Sequence, residues 1–455
     1  MDCIFLTTEF PYNTGEQFIE NEIDYLSQNF EHVFIFSLQS KTIERRTPEN
    51  VKNFSLNISN RKFKKIKKLY YGLFHHQIKF EKTGLQNLLT NILYQGTVSL
   101  AYKEFKKVIK KNKIELNNPL IYSYWMGPTA TLGILIKNNL FKKTKFITRC
   151  HSIDLYSFAN KRNYVPYQLF NIKNSDFVFP ISKHGENYLK NLYPDYKEKI
   201  IFSYLGTKHY KSINSDTVPF RILTCSHLIP LKRVEKIAEA IVSINDNDIY
   251  WDCFGDGPCK KEILDKLNNS NFKENYIFHG QTKYSDVIDF YKNHKIDLFI
   301  NFSTLEGLPV SLMEAISFGV PCIATNVGAT SEIINDSTGM LVDKNISVDE
   351  LKQHMECALT STKEYIMARE AQNKAMLAQG KKPNERTLKR MEIANAFAKF
   401  GENLGMQGAV TPRDRIATRV SNYLLEQGID FKRSIYKDNE TFENNELNAV
   451  YEYSR

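Results

Sequence analysis

Two glutamates separated by seven residues carry the strongest chemical signal in the chain. Glu306 follows a strand-like run, and Glu314 lies about one and a half turns inside the helix that Pro309 opens. At that helix start the backbone N–H groups of Gly307 and Leu308 are free to bind an anion such as a phosphate. Glu314 would then reach a ribose hydroxyl, and Glu306 a sugar. The alternative is a pair of ordinary solvated glutamates, and the neighbouring loops weigh against it.

Two further loops at strand ends offer groups that suit a nucleotide diphosphate. Lys232 and Arg233 lie where a strand turns into a helix, and their charge can neutralise a diphosphate leaving group. Gly280 and Gln281 follow another strand, where backbone groups can hold the edge of a base. The tight turn at residues 255–258 fits a structural role better. A surface Lys-Arg pair is common by itself, but four loops at equivalent strand ends seldom arise by chance.

The elements that must position these loops are short apolar runs alternating with amphipathic stretches, a pattern that predicts parallel sheets covered by helices on both faces. The runs form two series, at 3–6, 33–37, 120–124, 145–148 and 177–181, and at 221–225, 249–254, 276–279, 298–301, 321–324 and 339–342. Ligands of such sheets bind at the carboxyl ends of the strands. We therefore predict an α/β fold of two Rossmann-like domains, 1–206 and 220–362, facing each other across a cleft.

The second series, from about residue 220 to 343, resembles the nucleotide-sugar domain of glycosyltransferase family 4, which has the GT-B fold. The stretch from Glu306 to Glu314 matches the E-x7-E motif of that family, and residues 326–332 resemble its following loop and helix start. The resemblance implies that Glu306 contacts the donor sugar, Glu314 the ribose and Lys232 the diphosphate.

One position departs from the family pattern. Many members carry Arg where this chain has His227. Either Arg233 compensates or the diphosphate is bound more weakly. The resemblance also implies that the amides near Gly307 and Leu308 bind the phosphates.

The first series resembles the acceptor domain of the same family. Residues 8–16 follow the first strand like the family's glycine-containing acceptor loop, in which Gly15 allows close backbone approach and Glu16 lies beside it. Residues 149–156 resemble the R-x-H-x-x-D-L-Y segment of bacterial surface-polysaccharide transferases. A lone histidine is more often structural, but the segment places His151 near the reacting sugar. The resemblance covers roughly the first 360 residues.

The resemblance implies retention of the anomeric configuration, with no required metal or other cofactor. Our hypothesis is a front-face attack in which the leaving phosphate helps to deprotonate the acceptor hydroxyl, while His151 or Glu306 orients or stabilises the sugar. Arg149 and Asp154 complete the acceptor side of the cleft. The predicted reaction moves a hexosyl-type group from a nucleotide-diphosphate sugar, UDP-linked rather than GDP-linked, to a glycan or lipid-linked acceptor in cell-surface polysaccharide synthesis.

Composition and charge limit the class of protein. A chain of 455 residues with 42% hydrophobic and 25% charged residues is globular rather than disordered. Its seven cysteines form no CxxC pair, which is typical of a reduced, intracellular protein. We see no signal peptide and no apolar run of the roughly 20 residues that span a bilayer. We therefore expect a cytoplasmic protein, at most peripheral on the inner face of the plasma membrane.

The net charge of +10 indicates an anionic partner or a solvated basic surface. Residues 63–74 form a basic amphipathic stretch, and a second lysine cluster runs from 103 to 113. One helical face of the first stretch carries Phe63, Ile66, Tyr70 and Leu73. Such a stretch either lies on anionic lipid or packs on the N-terminal domain with its charges in water.

The composition changes after about residue 362, and residues 363–455 are predicted to form a helical tail with helices at 363–379, at 386–400 and from Thr411. We interpret the tail as an oligomerisation or partner-docking module, or as a fusion. Arg413, Arg415 and Arg419 raise nucleic-acid binding as an alternative, but the basic residues are scattered and lack interleaved stacking aromatics. Within enzymes, the alternative is a sugar-nucleotide epimerase or hydrolase of GT-B fold.

Overall fold

The computed structural model describes residues 1–360 apart from 14, 40–44, 59–61, 161, 209, 211–218, 247, 273 and 336–337. The chain forms two compact units, the first ending at Thr207 and the second beginning at Lys208. The predicted tail, 363–455, and most of the residues between the two predicted domains, 207–219, lie outside the described residues. The domain boundaries at 206, 220 and 362 therefore stay predictions.

The first unit is built on a six-stranded sheet in which all neighbouring strands are parallel. The strands are β1 (Cys3–Thr7), β2 (Val33–Ser37), β3 (Val51–Ser55), β4 (Leu120–Ser123), β5 (Phe146–Cys150) and β6 (Phe177–Pro180). The helices are α1 (Ile19–Asn29), α2 (Lys62–Phe74), α3 (Leu85–Lys111), α4 (Pro128–Leu140), α5 (Ser152–Leu155), α6 (Gln168–Asn174) and α7 (Lys183–Leu192), with 3₁₀ turns at Ser157–Ala159 and Pro194–Lys199. The strand order, β3-β2-β1-β4-β5-β6, is that of a doubly wound Rossmann sheet.

The second unit repeats this architecture with six more parallel strands. They are β7 (Phe220–Cys225), β8 (Ile249–Phe254), β9 (Tyr276–Gly280), β10 (Leu298–Asn301), β11 (Cys322–Thr325) and β12 (Gly339–Val342). The helices are α8 (Val234–Ile244), α9 (Lys260–Asn268), α10 (Tyr284–Asn293), α11 (Val310–Ser317), α12 (Thr330–Ile333) and α13 (348–360), with a 3₁₀ turn at Pro230–Lys232. The order β12-β11-β10-β7-β8-β9 places the strands of this unit in the same sequence as those of the first.

Helices cover both faces of each sheet, which explains why the strands read as continuous apolar runs. Ile222 and Leu223 are neighbours in β7, yet they pack into different core clusters because successive side chains of a strand point to opposite faces. All five residues of β1 and of β2 are buried. The prediction of two Rossmann-like domains is confirmed.

One strand was not predicted. In β3 only Val51 is buried, and the next four residues are exposed or half-buried. The strand lies at the edge of the sheet, beyond β2, where the burial that produces an apolar run is incomplete. Among the helices that the structure describes, none is long and apolar enough to cross a membrane.

Each sheet has one point where the strand order reverses, and loops diverge there to form a crevice. In the first unit this point lies between β1 and β4, so residues 8–18 and 124–127 form its loops. In the second unit it lies between β7 and β10, with loops at 226–233 and 302–309. These loops contain seven of the predicted site residues, namely Gly15, Glu16, Lys232, Arg233, Glu306, Gly307 and Leu308. The others lie at the ends of β5 and β9, on α5 and on α11.

Candidate functional site

The structure brings Lys232 and Glu306 together at the reversal point of the second unit. Lys232 Nζ lies 2.5 Å from Glu306 Oε1, and both side chains are mostly buried. Asn301, the last residue of β10, donates from Nδ2 to the same oxygen over 3.1 Å. A primary ammonium and a carboxylate are thus held side by side at the carboxyl ends of β7 and β10, where a doubly wound sheet binds its ligand.

The loop that carries Glu306 is held by close backbone contacts from the predicted segment 326–332. Gly328 has a φ of +56°, and a Cβ atom placed on it would lie 1.8 Å from the carbonyl oxygen of Glu306. The next residue, Ala329, donates its N–H to the carbonyl of Gly307 over 3.2 Å. Only glycine fits at position 328, because a side chain would push the Glu306 loop away.

Glu314 is a buried carboxylate in the middle of α11. Among the residues that the structure describes, none donates a hydrogen bond to its side chain, and burial raises the pKa of Glu314 from the ordinary 4.5 to about 8. A carboxylate in this position gains the most from a ligand that brings hydroxyl donors. Pro309 precedes α11 directly, as the sequence predicts, so the amides of Gly307 and Leu308 lie just ahead of the helix.

Arg233 is engaged with the protein backbone. Its Nε donates to the carbonyl of Phe302 over 2.7 Å and its Nη1 to that of Lys344 over 2.6 Å. The guanidinium also lies 4.2 Å from the centre of the Phe302 ring. Arg233 therefore joins the loops after β7, β10 and β12, and its predicted contact with a diphosphate stays a prediction.

The predicted base-edge residues lie at the end of β9. Gly280 has a φ of +69°, and its carbonyl accepts hydrogen bonds from the N–H of Gly255 at 2.9 Å and from Thr282 Oγ1 at 3.1 Å. Gln281 is exposed. The adjacent His279 stacks on Phe254 with ring centres 4.0 Å apart. Base binding by Gly280 and Gln281 stays a prediction.

The turn at residues 255–258 supports the loop that carries Lys232. A Cβ atom on Gly255 would lie 1.8 Å from the carbonyl oxygen of Ser226, and one on Gly257 would lie 2.4 Å from that of Leu228. Both glycines have positive φ, at 129° and 158°. The turn thus fixes the start of the loop after β7, which fits the structural role expected from the sequence.

In the first unit, Glu16 turns inward and organises the loop after β1. Its carboxylate accepts the N–H groups of Thr8, Glu9 and Phe10 at 3.0, 2.7 and 2.6 Å. It also accepts the indole N–H of Trp125 from the loop after β4. Burial raises the pKa of Glu16, and these four hydrogen bonds oppose that shift. Glu16 therefore links the two loops that flank the reversal point of this sheet.

Gly15 lies close to Glu9 in the same loop. A Cβ atom on it would lie 2.6 Å from Glu9 Oε2. Arg45 donates from Nη2 to the carbonyls of Gly15 and Asn13, and its Nη1 forms a 2.9 Å ion pair with Glu20. The roles of Gly15 and Glu16 in binding an acceptor stay predictions, but the loop that carries them is rigidly supported.

His151 is buried among aromatic rings and is neutral. Burial and the nearby Arg149 lower the pKa of His151 to about 3. Its Nε2 lies 3.1 Å from the carbonyl oxygen of Tyr124, which can only accept, so Nε2 carries the proton. The ring centre lies 4.3 Å from that of Trp125 and 5.5 Å from that of Phe18. His151 can therefore orient a ligand but supplies no positive charge at neutral pH.

Of the other two predicted residues of this segment, Asp154 holds the backbone of His151, and Arg149 binds neighbouring residues. Asp154 accepts the backbone N–H groups of His151 at 2.5 Å and of Met126 at 2.6 Å, and burial raises the pKa of Asp154 to about 7. Arg149 donates to the hydroxyl of Tyr122 over 2.7 Å and to the carbonyl of Ser203 over 2.8 Å. Both side chains are used within the protein, and their contact with an acceptor stays a prediction.

Two residues at these sites were not singled out in the sequence. Asn301 orients Glu306. Asn301 is the polar last residue of the apolar strand β10, and this position could have identified it from the sequence. Trp125 binds Glu16 and stacks near His151, but it follows β4 with no spacing that connects it to either.

Comparison with known proteins gives the decisive observation. Residues 207–375, which contain Lys232, Glu306 and Glu314, match the family model described as "Glycosyl transferases group 1". This part of the chain is similar to the group 1 glycosyltransferases. The predicted resemblance to glycosyltransferases is thereby confirmed.

Two curated proteins and one solved structure illustrate the relationship. The chain is 28% identical to the uncharacterized glycosyltransferase MJ1178 of Methanocaldococcus jannaschii over 56% of this chain and 68% of that protein. It is 23% identical to the putative colanic acid biosynthesis glycosyltransferase WcaL of Escherichia coli over 48% of this chain and 56% of that protein. The structure of Anabaena HepE in complex with UDP-glucose aligns with a TM-score of 0.53 at 13% identity, over 92% of this chain and 99% of that one. This last likeness concerns the fold.

Proposed function

We propose that this glycosyltransferase moves a hexosyl group, with retention of configuration, from a nucleotide-diphosphate sugar to a glycan or lipid-linked acceptor. The observation that carries the proposal is the contact of Lys232 with Glu306 at the point where the strand order of the second sheet reverses. One group suits the leaving diphosphate and the other suits the sugar attached to it, and the two atoms lie 2.5 Å apart.

The remaining groups of the second unit fit the rest of such a donor. Glu314 is a buried carboxylate that lacks a donor among the described residues, and ribose hydroxyls would supply one. Gly307 and Leu308 lie just ahead of α11, where backbone N–H groups and the helix dipole favour phosphate oxygens. We propose that Lys232 carries the charge stabilisation that a metal ion provides in other phosphate sites.

The proposed reaction is a substitution at the anomeric carbon. The bond between this carbon and the diphosphate oxygen breaks, and its electron pair leaves with the diphosphate. The acceptor hydroxyl oxygen forms the new bond on the same face, and its proton passes to the leaving phosphate. Negative charge grows on the diphosphate as the bond breaks, so a cation held at Lys232 stabilises the transition state more than the ground state.

The acceptor is proposed to bind the first unit at the loops after β1 and β5. Glu16 and Asp154 fix the backbone of these loops, and His151 presents a neutral ring between them. Catalysis by His151 would then consist of orienting a hydroxyl or the donor sugar, since the ring stays uncharged at neutral pH.

The names of relatives support the substrate class. WcaL is described as acting in colanic acid biosynthesis, and HepE was crystallised with UDP-glucose. We propose a UDP-sugar in preference to a GDP-sugar, and a product that belongs to a cell-surface polysaccharide. The proposed location is the cytoplasm, with peripheral attachment to the inner face of the plasma membrane.

A binding screen tests the donor. Melting temperatures are measured with UDP, GDP, ADP and their sugars for the full chain, for Lys232→Ala and for the control Lys261→Ala, whose lysine is exposed on α9. We expect one nucleotide to stabilise the wild type and the control, and Lys232→Ala to lose at least tenfold in affinity. No stabilisation by any nucleotide, or equal affinity in Lys232→Ala, overturns the proposal.

A second experiment tests transfer and retention. The selected nucleotide sugar is incubated with and without candidate glycan acceptors, and the anomeric proton of the product is observed by NMR. We expect a product only when acceptor is present, with the donor's configuration. A changed sugar in the absence of acceptor would instead indicate an epimerase or a hydrolase.

A further inference from the structure

Exposed apolar side chains are concentrated in one short part of the first unit. Of the fourteen large apolar side chains that are exposed in the described part of the chain, seven lie between residues 66 and 89. They are Ile66, Tyr70, Leu73 and Phe74 on α2 and Leu85, Leu88 and Leu89 at the start of α3. Single exposed apolar residues are normal on a protein surface, but such a group indicates a surface that binds something apolar.

The exposed apolar side chains of α2 lie on one face of the helix, and this face points away from the protein. Ile66, Tyr70 and Leu73 recur at intervals of four and three residues, so they share one side of the helix. The other side is pressed against α3, since a Cβ atom on Gly72 would lie 2.0 Å from the carbonyl oxygen of Ile92. The apolar face of α2 cannot rotate into the core while its opposite face is held at this distance.

The two helices form an antiparallel hairpin, which places the exposed residues of α3 next to the C-terminal end of α2. Gly72 meets Ile92, while Gly96 meets Lys68, so the contacts run in opposite directions along the two helices. Because Gly72 lies opposite Ile92, Leu89 lies near Phe74, at the end of the hairpin where α2 stops. We call this surface, made of the seven exposed side chains 66, 70, 73, 74, 85, 88 and 89, the hairpin patch.

Cations surround the hairpin patch. Residues 62–89 contain seven lysines and a single acidic residue, Glu81. Lys65 and Lys67 are exposed on α2, and Lys79 and Lys82 are exposed in the segment that joins it to α3. The carboxylate of Glu81 accepts the N–H of Tyr167 over 2.9 Å, so it faces the protein. An exposed apolar face bordered by exposed lysines is complementary to the surface of an anionic lipid bilayer.

We propose that the α2–α3 hairpin lies flat on an anionic membrane, with the hairpin patch in the boundary between headgroups and acyl chains and the lysines on the lipid phosphates. The proposal assigns a surface to the membrane attachment named with the proposed function, but it does not depend on sugar transfer. Buried apolar area supplies one part of the affinity, and each lysine near the surface contributes about fivefold at low salt.

Sedimentation with vesicles tests the proposal on the full chain. Vesicles of phosphatidylcholine alone are compared with vesicles that also contain phosphatidylglycerol, each at low and high salt. We compare the wild type with Ile66→Gln/Leu73→Gln and with Lys65→Gln/Lys67→Gln. The matched control is Leu140→Gln/Leu192→Gln, which alters two leucines of the same unit that are 43% and 47% exposed outside the hairpin patch.

We expect the wild type and the control to sediment with the anionic vesicles at low salt, and both test variants to lose at least tenfold in affinity. High salt should weaken the wild type. No sedimentation with anionic vesicles at low salt, unchanged binding of the two test variants, or an equal loss in the control overturns the proposal. A wild-type dimer that the Ile66→Gln/Leu73→Gln variant converts to monomer, measured by light scattering without lipid, also overturns it.

The variants separate this proposal from the proposed function. All of them should melt like the wild type and bind the donor nucleotide unchanged, because the altered side chains are exposed and lie in the first unit. A chain that binds vesicles but no nucleotide would refute only the proposed function. A chain that binds nucleotide but no vesicle would refute only the hairpin as a membrane surface.

Discussion

Lys232 and Glu306 form a 2.5 Å ion pair across the loops that follow β7 and β10, and Asn301 donates to the same carboxylate oxygen. The pair has a consequence for binding. A diphosphate that approaches Lys232 competes with Glu306 for it, and Glu306 becomes free to contact a sugar only when Lys232 has turned to the phosphates. Within the proposed function, the two side chains exchange one partner for another when the donor binds.

The first prediction follows from that competition. Glu306→Gln removes the carboxylate that competes with a diphosphate, so UDP alone should bind more tightly, by about fivefold for each 1 kcal/mol of competition removed. Transfer should fall by at least about a hundredfold, because the sugar loses a group that acts in the transition state. Calorimetry with UDP and single-turnover transfer measure the two effects.

The control for this variant is Glu262→Gln on α9, where the glutamate is largely exposed and pairs with Lys266. Glu262→Gln should change neither the affinity for UDP nor the rate of transfer. If Glu306→Gln weakened UDP binding in parallel with transfer, Glu306 would contact the nucleotide itself, and the exchange of partners would be wrong.

The second prediction concerns pH. Burial raises the pKa of Glu314 to about 8, and ribose hydroxyls that donate to its carboxylate favour the charged form. Nucleotide binding should therefore release a proton below pH 8, and affinity should rise with pH up to about 8 and then level off. Calorimetry at pH 7 in buffers of different ionisation enthalpy measures the released proton.

Glu314→Gln is the matched variant for this prediction. It should bind nucleotide more weakly and without the rise toward pH 8. The folded chain keeps a proton on Glu314 that the unfolded chain loses above about 4.5, so the stability from this group falls as the pH rises from about 4.5 to about 8. Glu314→Gln should therefore melt higher than the wild type at pH 8 and much less so at pH 5. An equal difference at both pH values would contradict the raised pKa.

The sequence predicted most of the strands and the place of the site, for a physical reason. Strands buried on both faces are continuous apolar runs, and the bounds of β2, β8, β10 and β12 agree with the predicted ranges. A polar loop after such a strand lies at the ligand-binding edge of the sheet whatever its detailed shape. Lys232 and Glu306 could therefore be assigned to one region without knowing their contact.

The directions of side chains could not be predicted in the same way. Arg233 has a left-handed backbone, with a φ of 50°, which aims its guanidinium at the carbonyls of Phe302 and Lys344. Glu16 is likewise left-handed and folds under its own loop. Arg233 contacts residues 69 and 111 positions away, and Glu16 also binds the distant Trp125, so no local pattern records these conformations. The edge strand β3 was missed because partial burial leaves no apolar run.

The third prediction tests the backbone contact behind Glu306. Gly328→Ala places a methyl group 1.8 Å from the carbonyl oxygen of Glu306, at a φ of +56° that disfavours a side chain. The loop must shift, so UDP affinity should fall at least tenfold and the melting temperature by several degrees. The control is Gly127→Ala, since a Cβ atom there meets nothing within 4 Å. Normal UDP binding by Gly328→Ala would show that the contact does not position the site.

The last prediction separates orientation from proton transfer at His151. Burial and Arg149 lower the pKa of His151 to about 3, so the ring does not titrate between pH 5 and 8. Titration of His151 should therefore cause no change in the transfer rate over that range. The proton on Nε2 is held by the carbonyl of Tyr124 at 3.1 Å, a hydrogen bond that the amide of glutamine can also donate.

His151→Gln should therefore retain more of the transfer rate than His151→Ala, which leaves the Tyr124 carbonyl without its donor and removes the stacking with Trp125. We expect the alanine variant to lose at least tenfold in kcat with a smaller change in KM for the donor. The rates are measured from pH 5 to 8 for all three proteins. A pH-dependent step that disappears in both variants would mean that His151 exchanges a proton during the reaction, and full activity of His151→Ala would remove it from the mechanism.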